Sequence, residues 1–417
     1  MSADYLTGEP YDRTLRDYSQ AILAGLNPSD KLKVRSISLC GRRVIAPQYG
    51  EGGVFLLSNG SRAKFFGSTH CGNMFACPTC TAKAMQKLAA QIDAGIDKLR
   101  NEYFGIMVTL TIPHLYYMKN RETTDILYQT FQRFRLAAKS SRPNPVRTMF
   151  RELGIIHWIA VCEYTFGKNG WHPHFHCIFW CKRDKAKDVL KYEKFLNDWW
   201  LKRAKKYTLE YWIKNKLHFK TEEKMVSTVN NLYDKAEKSA GVLIGKTKTG
   251  KVREALSGSY ISGWGANHEL TGLKLKTAKL DHYTPYQILE LAAMGDKFFE
   301  KLWVHFVLAV RQQPIHRRVI WSHTGISKMC KQASQVKLCK DLIKKNTGEI
   351  WKVLLWFNRE QWFCIKQIPY MEGNILFIAR HCKEILLEFL DDLHIEYNLP
   401  ESNYFSEHIE NIFNSVA

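Results

Sequence analysis

The feature that most constrains the fold is a pair of apolar segments separated by a short turn. The segments read GIIHWIAVCEYTF at 154–166 and WHPHFHCIFWC at 171–181, and the turn reads Gly-Lys-Asn-Gly at 167–170. Both segments are rich in aromatic and β-branched residues, which favour strands, and glycine-rich turns of this kind join the two strands of a hairpin. The sequence therefore predicts a β-hairpin whose second strand carries several histidines.

The order of the other predicted elements indicates the fold class. Residues 104–112, FGIMVTLTI, predict a buried strand that ends at a proline, and residues 82–101 and 121–140 predict helices. The sequence of strand, helix, strand and hairpin favours an α+β fold with a central antiparallel sheet over a doubly wound parallel sheet. Further along, Thr284-Pro285 with Gln287 predicts a capping box that begins one long helix, ending at about 311.

Three histidines alternate with other residues on the second strand of the hairpin: His172, His174 and His176. Because successive side chains of a strand point to opposite faces, all three project from one side. Imidazoles at this spacing can converge on one divalent cation, and Glu163 on the neighbouring strand can add a carboxylate oxygen. This donor set suits Mn²⁺ or Mg²⁺, and ligand type alone leaves zinc open. The alternative is a row of surface histidines on an edge strand.

A second candidate metal site lies upstream and is built from cysteines. The four sulfur ligands would come from Cys40, which precedes a predicted hairpin turn at Asn59-Gly60, and from Cys71, Cys77 and Cys80. A Cys-x-x-Cys pair with two further cysteines has the composition of a tetrahedral zinc site. His70 is a candidate substitute for one of the sulfurs. The alternative is a set of buried cysteines without a metal.

The chain is strongly basic. It has 61 lysines and arginines against 40 acidic residues, which gives a net charge of +21. Such a charge attracts polyanions, most often nucleic acid, although a merely basic cytosolic protein is the alternative. Residues 181–254 carry 20 of the basic residues and 10 of the acidic ones. Aromatic residues that can either stack on bases or pack inward on an amphipathic helix lie in the same stretch: Trp199, Trp200, Tyr207, Tyr211 and Trp212.

Two further features bear on the cellular compartment. No apolar run is long enough to span a bilayer, and the polar start MSADYLTGEPYDR is typical of neither a signal peptide nor a transit peptide. The 11 cysteines are odd in number and unevenly spaced, which is unlike a disulfide scaffold. We therefore expect a cytoplasmic protein, without a membrane partner, in which some cysteines bind metal.

Several motifs, taken in order, resemble those of the rolling-circle replication initiators, the Rep proteins of small plasmids, which are HUH endonucleases. The resemblance covers about residues 37–325, and the last ninety or so residues match only loosely. The cysteine segments at 39–42 and 71–80 are similar to the family's amino-terminal motif, and Val-Thr-Leu-Thr-Ile-Pro-His at 108–114 is similar to its first motif. The second motif is resembled by residues 169–176, Asn-Gly-Trp-His-Pro-His-Phe-His. The third motif is resembled by residues 260–265, Tyr-Ile-Ser-Gly-Trp-Gly. Residues 317–322 resemble a segment that lies downstream of these motifs in the family.

The resemblance implies a role for each matching residue. His174 and His176 would be the two metal ligands, Glu163 a third, and His172 either a further ligand or a residue that orients one of them. Tyr260 would attack the scissile phosphate at a single-stranded or hairpin origin, leaving a 5′-phosphotyrosyl link and a free 3′-OH. The implied partners are the origin DNA, a host helicase, a polymerase and a single-strand binding protein.

The chain departs from the family pattern in its third motif. Gly263 stands where the family usually has a lysine, so another cation would have to hold the phosphate, and Lys251 and Arg253 are the candidates. With Trp264 they are the expected DNA-binding residues. No second tyrosine follows Tyr260 at the next helical turn, so Glu254, or Glu269, would activate the water that ends the cycle.

The resemblance also implies an architecture. We expect a zinc-bearing amino-terminal lobe at 1–100 and a catalytic domain at 101–275, with about five antiparallel strands, flanking helices and a basic aromatic insert at 182–254. A mainly helical region of unknown role would occupy 276–417. Two alternatives to a plasmid replication initiator stay open: a transposase of the HUH type, and a non-catalytic nucleic-acid-binding zinc protein.

Overall fold

The structure is a computed structural model of the chain. It describes residues 8–44, 53–59, 62–99, 101–236, 241–244, 282–311, 318–322, 325–332, 334–335, 352–368 and 370–399. The chain forms two compact units. The first comprises Met1–Lys83, Ala293–Asp296 and Lys345–Ala417, and the second comprises Ala84–Ala292 and Lys297–Lys344.

The strands are β1 (Val54–Ser58), β2 (Ala63–Phe66), β3 (Tyr103–Thr111), β4 (His157–Gly167), β5 (Gly170–Lys182), β6 (Val242–Ile244), β7 (His282–Tyr283), β8 (Val319–Trp321) and β9 (Lys352–Phe357). The helices are α1 (Gly8–Ala24), α2 (Pro28–Ser38), α3 (Pro78–Leu99), α4 (Asn120–Lys139), α5 (Pro145–Glu152), α6 (Glu193–Asn215), α7 (Glu222–Ala236), α8 (Pro285–Ala293), α9 (Lys297–Arg311), α10 (Arg359–Gln367), α11 (Met371–His381) and α12 (Leu386–Asp392). A 3₁₀ segment at Arg183–Tyr192 leads from β5 into α6.

The second unit is organised around the predicted hairpin. β4 and β5 pair from His157↔Trp180 to Gly167↔Gly170, which leaves Lys168 and Asn169 as the turn. Gly170 has a φ of +84°, a left-handed conformation that glycine adopts without strain. A Cβ at this position would also come within 3.0 Å of the Tyr116 carbonyl oxygen. Glycine at 170 therefore allows both the tight turn and the close approach of a second chain segment.

The hairpin forms the middle of a six-stranded sheet in the described part of the chain. The strand order is β6-β3-β5-β4-β7, with β8 also paired to β4, and every pairing is antiparallel. The predicted α+β class with an antiparallel sheet is confirmed. β8 lies in the region that was predicted to be mainly helical. The sequence did not predict this strand because three residues are too few to show the alternation of a strand.

One face of this sheet is an aromatic core. Phe131 of α4 stacks on Phe175 of β5, with ring centroids 4.4 Å apart, and Phe134 lies 6.0 Å from Phe179. Phe175 and Phe179 occupy odd positions of β5, so side chains at the even positions project from the opposite face. The histidines are thus kept out of the core, on the other side of a well-packed sheet.

The basic aromatic stretch forms α6, α7 and edge strand β6. Trp200 and Trp212 are fully buried, and their indole N–H groups donate to the Thr111 carbonyl oxygen and the Glu122 carboxylate. Trp199 is half-buried against Phe134. Trp200 and Trp212 therefore pack inward, which is one of the two alternatives that the sequence left open, and their rings are not accessible to bases.

The capping box at residue 284 is confirmed, but the single long helix is not. The Thr284 and Gln287 backbone N–H groups donate to each other's side chains, at 2.9 and 3.3 Å. Instead of running to 311, the helix ends at Ala293 and a new one begins at Lys297. Gly295 between them has a φ of +96°, which ends a helix. No helix in the described ranges is both long and apolar enough to cross a membrane.

The first unit joins sequence from both halves of the chain. Its sheet has the order β2-β1-β9, with the predicted hairpin β1–β2 completed by a strand from residues 352–357. Leu56 and Phe65 share an apolar cluster with Phe357 and Trp362. This differs from the three consecutive segments expected from sequence, which separated 276–417 from the amino-terminal lobe. Pairing between segments so distant in the chain leaves no local pattern to read.

A buried ionic cluster lies within the same unit. The Glu372 carboxylate accepts from Arg13 Nη1 at 2.5 Å, from Arg16 Nη2 at 2.6 Å and from the Lys366 ammonium. Arg13, Arg16 and Glu372 are at most 1% exposed at their side chains. Burial on its own would raise the pKa of Glu372, but Arg16, Lys366 and Arg13 outweigh it and hold that pKa well below its ordinary value.

Candidate functional site

The sheet register brings two of the predicted metal ligands opposite each other. Glu163 on β4 pairs directly with His174 on β5, and His176 lies two residues further along the same face. Partners in an antiparallel ladder have their side chains on the same face, about 5 Å apart at Cβ. The hairpin alone therefore places a carboxylate next to two imidazoles.

The three side chains converge at their tips. His174 Nε2 lies 3.2 Å from His176 Nε2, and Glu163 Oε2 lies 3.5 Å from His176 Nε2 and 3.8 Å from His174 Nε2. Nitrogen and oxygen ligands about 2.0–2.2 Å from one ion are themselves about 3–3.5 Å apart. Glu163 and His174 are also largely buried, at 3% and 8% exposure. The donor set and spacing fit a divalent cation.

The other nitrogen of each imidazole is held by the protein. His174 Nδ1 lies 3.2 Å from the carbonyl oxygen of His172, and His176 Nδ1 lies 3.1 Å from Thr109 Oγ1 on β3. A carbonyl oxygen only accepts, so His174 Nδ1 carries the hydrogen and Nε2 keeps its lone pair. Such contacts fix the tautomer and ring orientation of metal-binding histidines. His174 Nε2 is thus available to coordinate a metal, and His176 Nε2 is equally available when Nδ1 donates to the Thr109 hydroxyl.

His172 is on the same face but outside the converging group. Its Nδ1 lies 3.4 Å from His114 Nδ1, and the two rings are 4.9 Å apart. Burial, together with the neighbouring His174 and His114, holds the pKa of His172 well below its ordinary value. The structure brings together Glu163, His174 and His176. His172 contributes its carbonyl oxygen to the site rather than its imidazole.

The four predicted cysteines also converge. The Sγ atoms of Cys40 and Cys80 are 3.6 Å apart, those of Cys71 and Cys80 are 3.7 Å apart, and those of Cys77 and Cys40 are 3.5 Å apart. Four sulfurs around one zinc ion, each about 2.3 Å from it, are about 3.8 Å apart. A disulfide would need about 2.05 Å. The cluster therefore has the spacing of a tetrahedral metal site.

Local structure explains this convergence. Cys40 follows α2, and Gln20 Nε2 donates to its carbonyl oxygen at 2.9 Å. Cys80 lies in the first turn of α3, and the Asn73 side chain accepts from the Phe75 and Ala76 backbone N–H groups in the loop between. Hydrogen bonds from the Cys71 and Cys77 thiols lower the pKa of Cys40 to about 5, which favours the thiolate that a metal binds.

His70 sits beside this cluster rather than within it. Hydrogen bonds to Cys40 and Cys80 raise the pKa of His70, as expected for an imidazole that donates to sulfur. Its Nε2 also lies 3.2 Å from the Lys83 ammonium. The four cysteines form the converging group without it.

The remaining predicted site residues lie outside the described residues. They are Tyr260, Glu254, Lys251, Arg253 and Trp264, together with Gly263 and Glu269. Two residues at the site carried no sequence assignment, His114 and Thr109. Both lie in the 108–114 segment, which the resemblance matched to the family's first motif without giving either residue a role.

Comparison with known proteins finds a similarity over part of the chain. A Streptomyces lividans protein named "Protein rep" is 27% identical over 134 residues, which cover 27% of this chain and 29% of that protein. The match therefore spans less than a third of the relative's length. No family model matches the chain. No solved structure matches it either.

Proposed function

We propose that the protein is a replication initiator that nicks single-stranded origin DNA and transfers the strand, using a divalent metal and a tyrosine nucleophile. The observation that carries the proposal is the convergence of Glu163 Oε2 with the Nε2 atoms of His174 and His176. The similarity to a protein named Protein rep and the net charge of +21 support the same reading.

At this site the chain's own residues hold and orient a cation. His174 and His176 offer neutral imidazoles, and Glu163 adds one negative charge, so the ligand set would leave a bound divalent ion with net positive charge. When bound, such a cation supplies Lewis-acid activation of a phosphate and charge stabilisation as the bond breaks. The sheet beneath keeps the three ligands fixed because both strands are buried.

Tyr260 is the proposed nucleophile. Its phenol oxygen forms a bond to phosphorus while the bond from phosphorus to the 3′ oxygen breaks, so a 5′-phosphotyrosyl link replaces one phosphodiester. The phenol proton leaves to a base or to water, and the departing 3′ oxygen gains a proton to become a hydroxyl. Because a tyrosine pKa is about 10, a neighbouring cation must favour the phenolate, and Lys251 and Arg253 are the proposed cations.

The later steps follow from the single tyrosine. We propose that Glu254 activates the water that ends the cycle, and that Trp264 contacts the DNA next to the nucleophile. The four-cysteine site would bind zinc and stabilise the lobe around it. The free 3′-OH would be extended by a host polymerase, with a host helicase and a single-strand binding protein handling the displaced strand.

The test is cleavage of single-stranded oligonucleotides tiled across the DNA element that encodes the chain, with Mn²⁺ or with EDTA. Wild type is compared with Tyr260→Phe and with the double variant His174→Ala/His176→Ala on denaturing gels that resolve protein-linked DNA. Matched controls are Tyr207→Phe, at a half-buried tyrosine of α6, and His305→Ala, at an exposed histidine of α9.

The expected result is a metal-dependent covalent band that both site variants lose and both controls keep. A band that persists in Tyr260→Phe would reject that nucleophile. A band that persists with EDTA would reject the metal. If no tile is cleaved while salt-sensitive DNA binding remains, the chain is a binding protein rather than a nuclease.

A further inference from the structure

Two neighbouring tyrosines are held in the open next to the histidine site. They lie in the loop at 112–119, which follows β3, and Tyr116 and Tyr117 are 63% and 46% exposed. Adjacent exposed aromatic side chains form a patch of the kind that can mark a binding site, and a tyrosine combines an apolar ring with a polar hydroxyl. These two were not among the aromatics that the basic stretch suggested from sequence.

The loop that carries them is fixed to the metal-binding strand. His114 contacts His172 at 3.4 Å between their Nδ1 atoms, and the Tyr116 backbone lies against Gly170 at the start of β5. Met118 is buried at 3% exposure, and its sulfur accepts from the Leu115 backbone N–H. The backbone is thus anchored on both sides of the tyrosines. Only the two rings project.

The Tyr117 ring rests on a supporting layer. It lies 4.9 Å from the His218 ring and 6.5 Å from the Phe219 ring. The His218 Nε2 atom is 3.0 Å from both oxygens of Glu122, whose carboxylate is buried and also accepts from the Trp212 indole. The ring is therefore positioned by contacts that reach into the core.

The supporting segment adopts an unusual backbone. Lys216 and His218 have φ values of +49° and +66°, the left-handed region that costs residues other than glycine about 1 kcal/mol or more each. Such conformations persist where the surrounding contacts over-determine them, and here the bonds from His218 to Glu122 do so. The result places His218 under Tyr117.

The charge around these rings is of one sign. The three segments that meet here, 112–122, 167–170 and 214–220, contain five lysines, one arginine and one acid, the buried Glu122. The five lysines are all exposed: Lys119, Lys168, Lys214, Lys216 and Lys220. Exposed aromatic rings among cations suit a polyanion that also offers flat apolar faces. A single-stranded nucleic acid has both, whereas a duplex conceals its base faces.

We propose that Tyr116 and Tyr117, with His218 beneath, form a base-stacking platform for the single-stranded DNA that reaches the histidine site. The proposal rests on the proposed function for the identity of the strand. Its own content is the mode of binding: unpaired bases stack on the two rings, and the surrounding lysines contact the phosphates. The Tyr116 backbone contacts Gly170, the first residue of the strand that carries His174 and His176. The platform would therefore bind nucleotides close to the scissile phosphate.

The test measures binding rather than cleavage, so that it stands apart from the nuclease. Fluorescence anisotropy with a labelled single-stranded oligonucleotide, in EDTA, compares wild type with Tyr116→Leu, Tyr117→Leu and the double variant. Leucine keeps an apolar side chain and removes the ring, and Tyr116→Phe and Tyr117→Phe restore it. Phe363→Leu is the matched control, because Phe363 is a 60% exposed ring in the first unit.

Each leucine variant is expected to bind single-stranded DNA about 5- to 100-fold more weakly, with the phenylalanine variants close to wild type. Binding of the corresponding duplex should change little. The slope of log affinity against log salt should also stay unchanged in the leucine variants, because no phosphate contact is lost. Lys168→Gln or Lys216→Gln should instead reduce that slope by about 0.7.

Two outcomes overturn the platform. One is wild-type affinity of both leucine variants for single-stranded DNA, which would leave the rings to a protein partner. The other is an equal loss for single strands and duplex. A failure of the proposed nuclease activity is distinguishable from a failure of the platform. If wild type cleaves no oligonucleotide but the leucine variants lose single-strand binding, the base-stacking proposal is supported and the nicking proposal is rejected.

Discussion

The contact between Thr109 and His176 makes the histidine site open to a sharp test. Thr109→Val keeps the shape of the side chain and removes only the hydroxyl that lies 3.1 Å from His176 Nδ1. Without that oxygen, the imidazole N–H at Nδ1 loses its partner. The ring can then rotate or adopt the tautomer with hydrogen on Nε2, which cannot coordinate a metal. Metal affinity should therefore fall although no ligand has been changed.

The expected size follows from two ways of estimating the loss of the contact between Thr109 and His176. Removing the hydrogen-bond partner of a metal-binding histidine costs about 10- to 100-fold in metal affinity, which corresponds to about 1.4–2.7 kcal/mol. Leaving a partly buried imidazole N–H unsatisfied costs about 1–3 kcal/mol. The two ranges agree because they describe the same lost contact.

The assay is calorimetric titration with Mn²⁺, alongside the Mn²⁺ concentration that gives half-maximal nicking. Thr109→Ser restores the hydroxyl and should recover most of the affinity. Thr165→Val is the matched control, since Thr165 lies on the same face, opposite His172, and makes no hydrogen bond to the three ligands. If Thr109→Val binds Mn²⁺ within threefold of wild type while His174→Ala does not bind it, the threonine does not orient His176 and the reasoning is wrong.

Three further predictions concern stability and the second metal site. Glu372→Gln should destabilise the first unit by about 3–5 kcal/mol in urea unfolding followed by tryptophan fluorescence, because it leaves three buried cations with too little opposing charge. The control Asp30→Asn, at an exposed ion pair with Lys33, should leave the urea midpoint almost unchanged. Cys77→Ser should abolish stoichiometric zinc in elemental analysis and lower the thermal midpoint of that unit, and a chelator should have the same effect on wild type. Gly170→Ala should lower the urea midpoint of unfolding more than Gly295→Ala does. Both glycines have a positive φ, but only a Cβ at position 170 would come close to backbone atoms of another segment.

The Glu372 prediction also fixes a pH dependence. The pKa of Glu372 is lower in the folded protein than in the unfolded chain, so its ionised form stabilises the fold above the unfolded value of about 4.3. That contribution is lost as the pH falls through the lower folded value. The stability gap between wild type and Glu372→Gln should therefore be constant from neutral pH down to about pH 5 and narrow below about pH 4. A gap that widens in acid would contradict the assignment, as would a glutamine variant as stable as wild type at neutral pH.

The sequence predicts the parts of the site that depend on local pattern. Alternation along β5 places His174 and His176 on one face, and a tight turn brings Glu163 opposite them, so the three candidate ligands follow from the 14 residues 163–176. The four cysteines are found by spacing alone. The side chain of His172 is a different case, because its orientation depends on His114, which belongs to another strand end 58 residues away.

The parts that sequence does not predict depend on long-range pairing or on competition for burial. β8 has only three residues, and both β8 and β9 pair with strands far away in the chain, so local periodicity carries no information about their pairing. Trp200 and Trp212 lie among lysines in the sequence, which suggests a binding surface, but both are fully buried and hydrogen-bonded to Thr111 of β3 and Glu122 of α4. Tyr116 and Tyr117 follow the predicted end of the strand at Pro113, where the sequence carries no periodic pattern that would indicate their exposure. Their exposure depends on where the adjacent loops pack.

The discontinuous first unit has a consequence for how the protein is made. The hairpin that supplies Glu163, His174 and His176 is complete once residue 182 has left the ribosome, since its strands are neighbours in sequence. By contrast, β1 can pair with β9 only after residues 352–357 have been synthesised, and Arg13 and Arg16 can pair with Glu372 only after residue 372 has been synthesised. Premature termination before residue 352 would leave the β4–β5 hairpin able to form, while β1 lacks its partner β9 and Arg13 and Arg16 lack the Glu372 carboxylate. In a newly made chain, the amino-terminal segment would therefore be protected from proteases only after residues 352–372 have folded against it. Truncated chains would be exposed to proteolysis at the amino-terminal end.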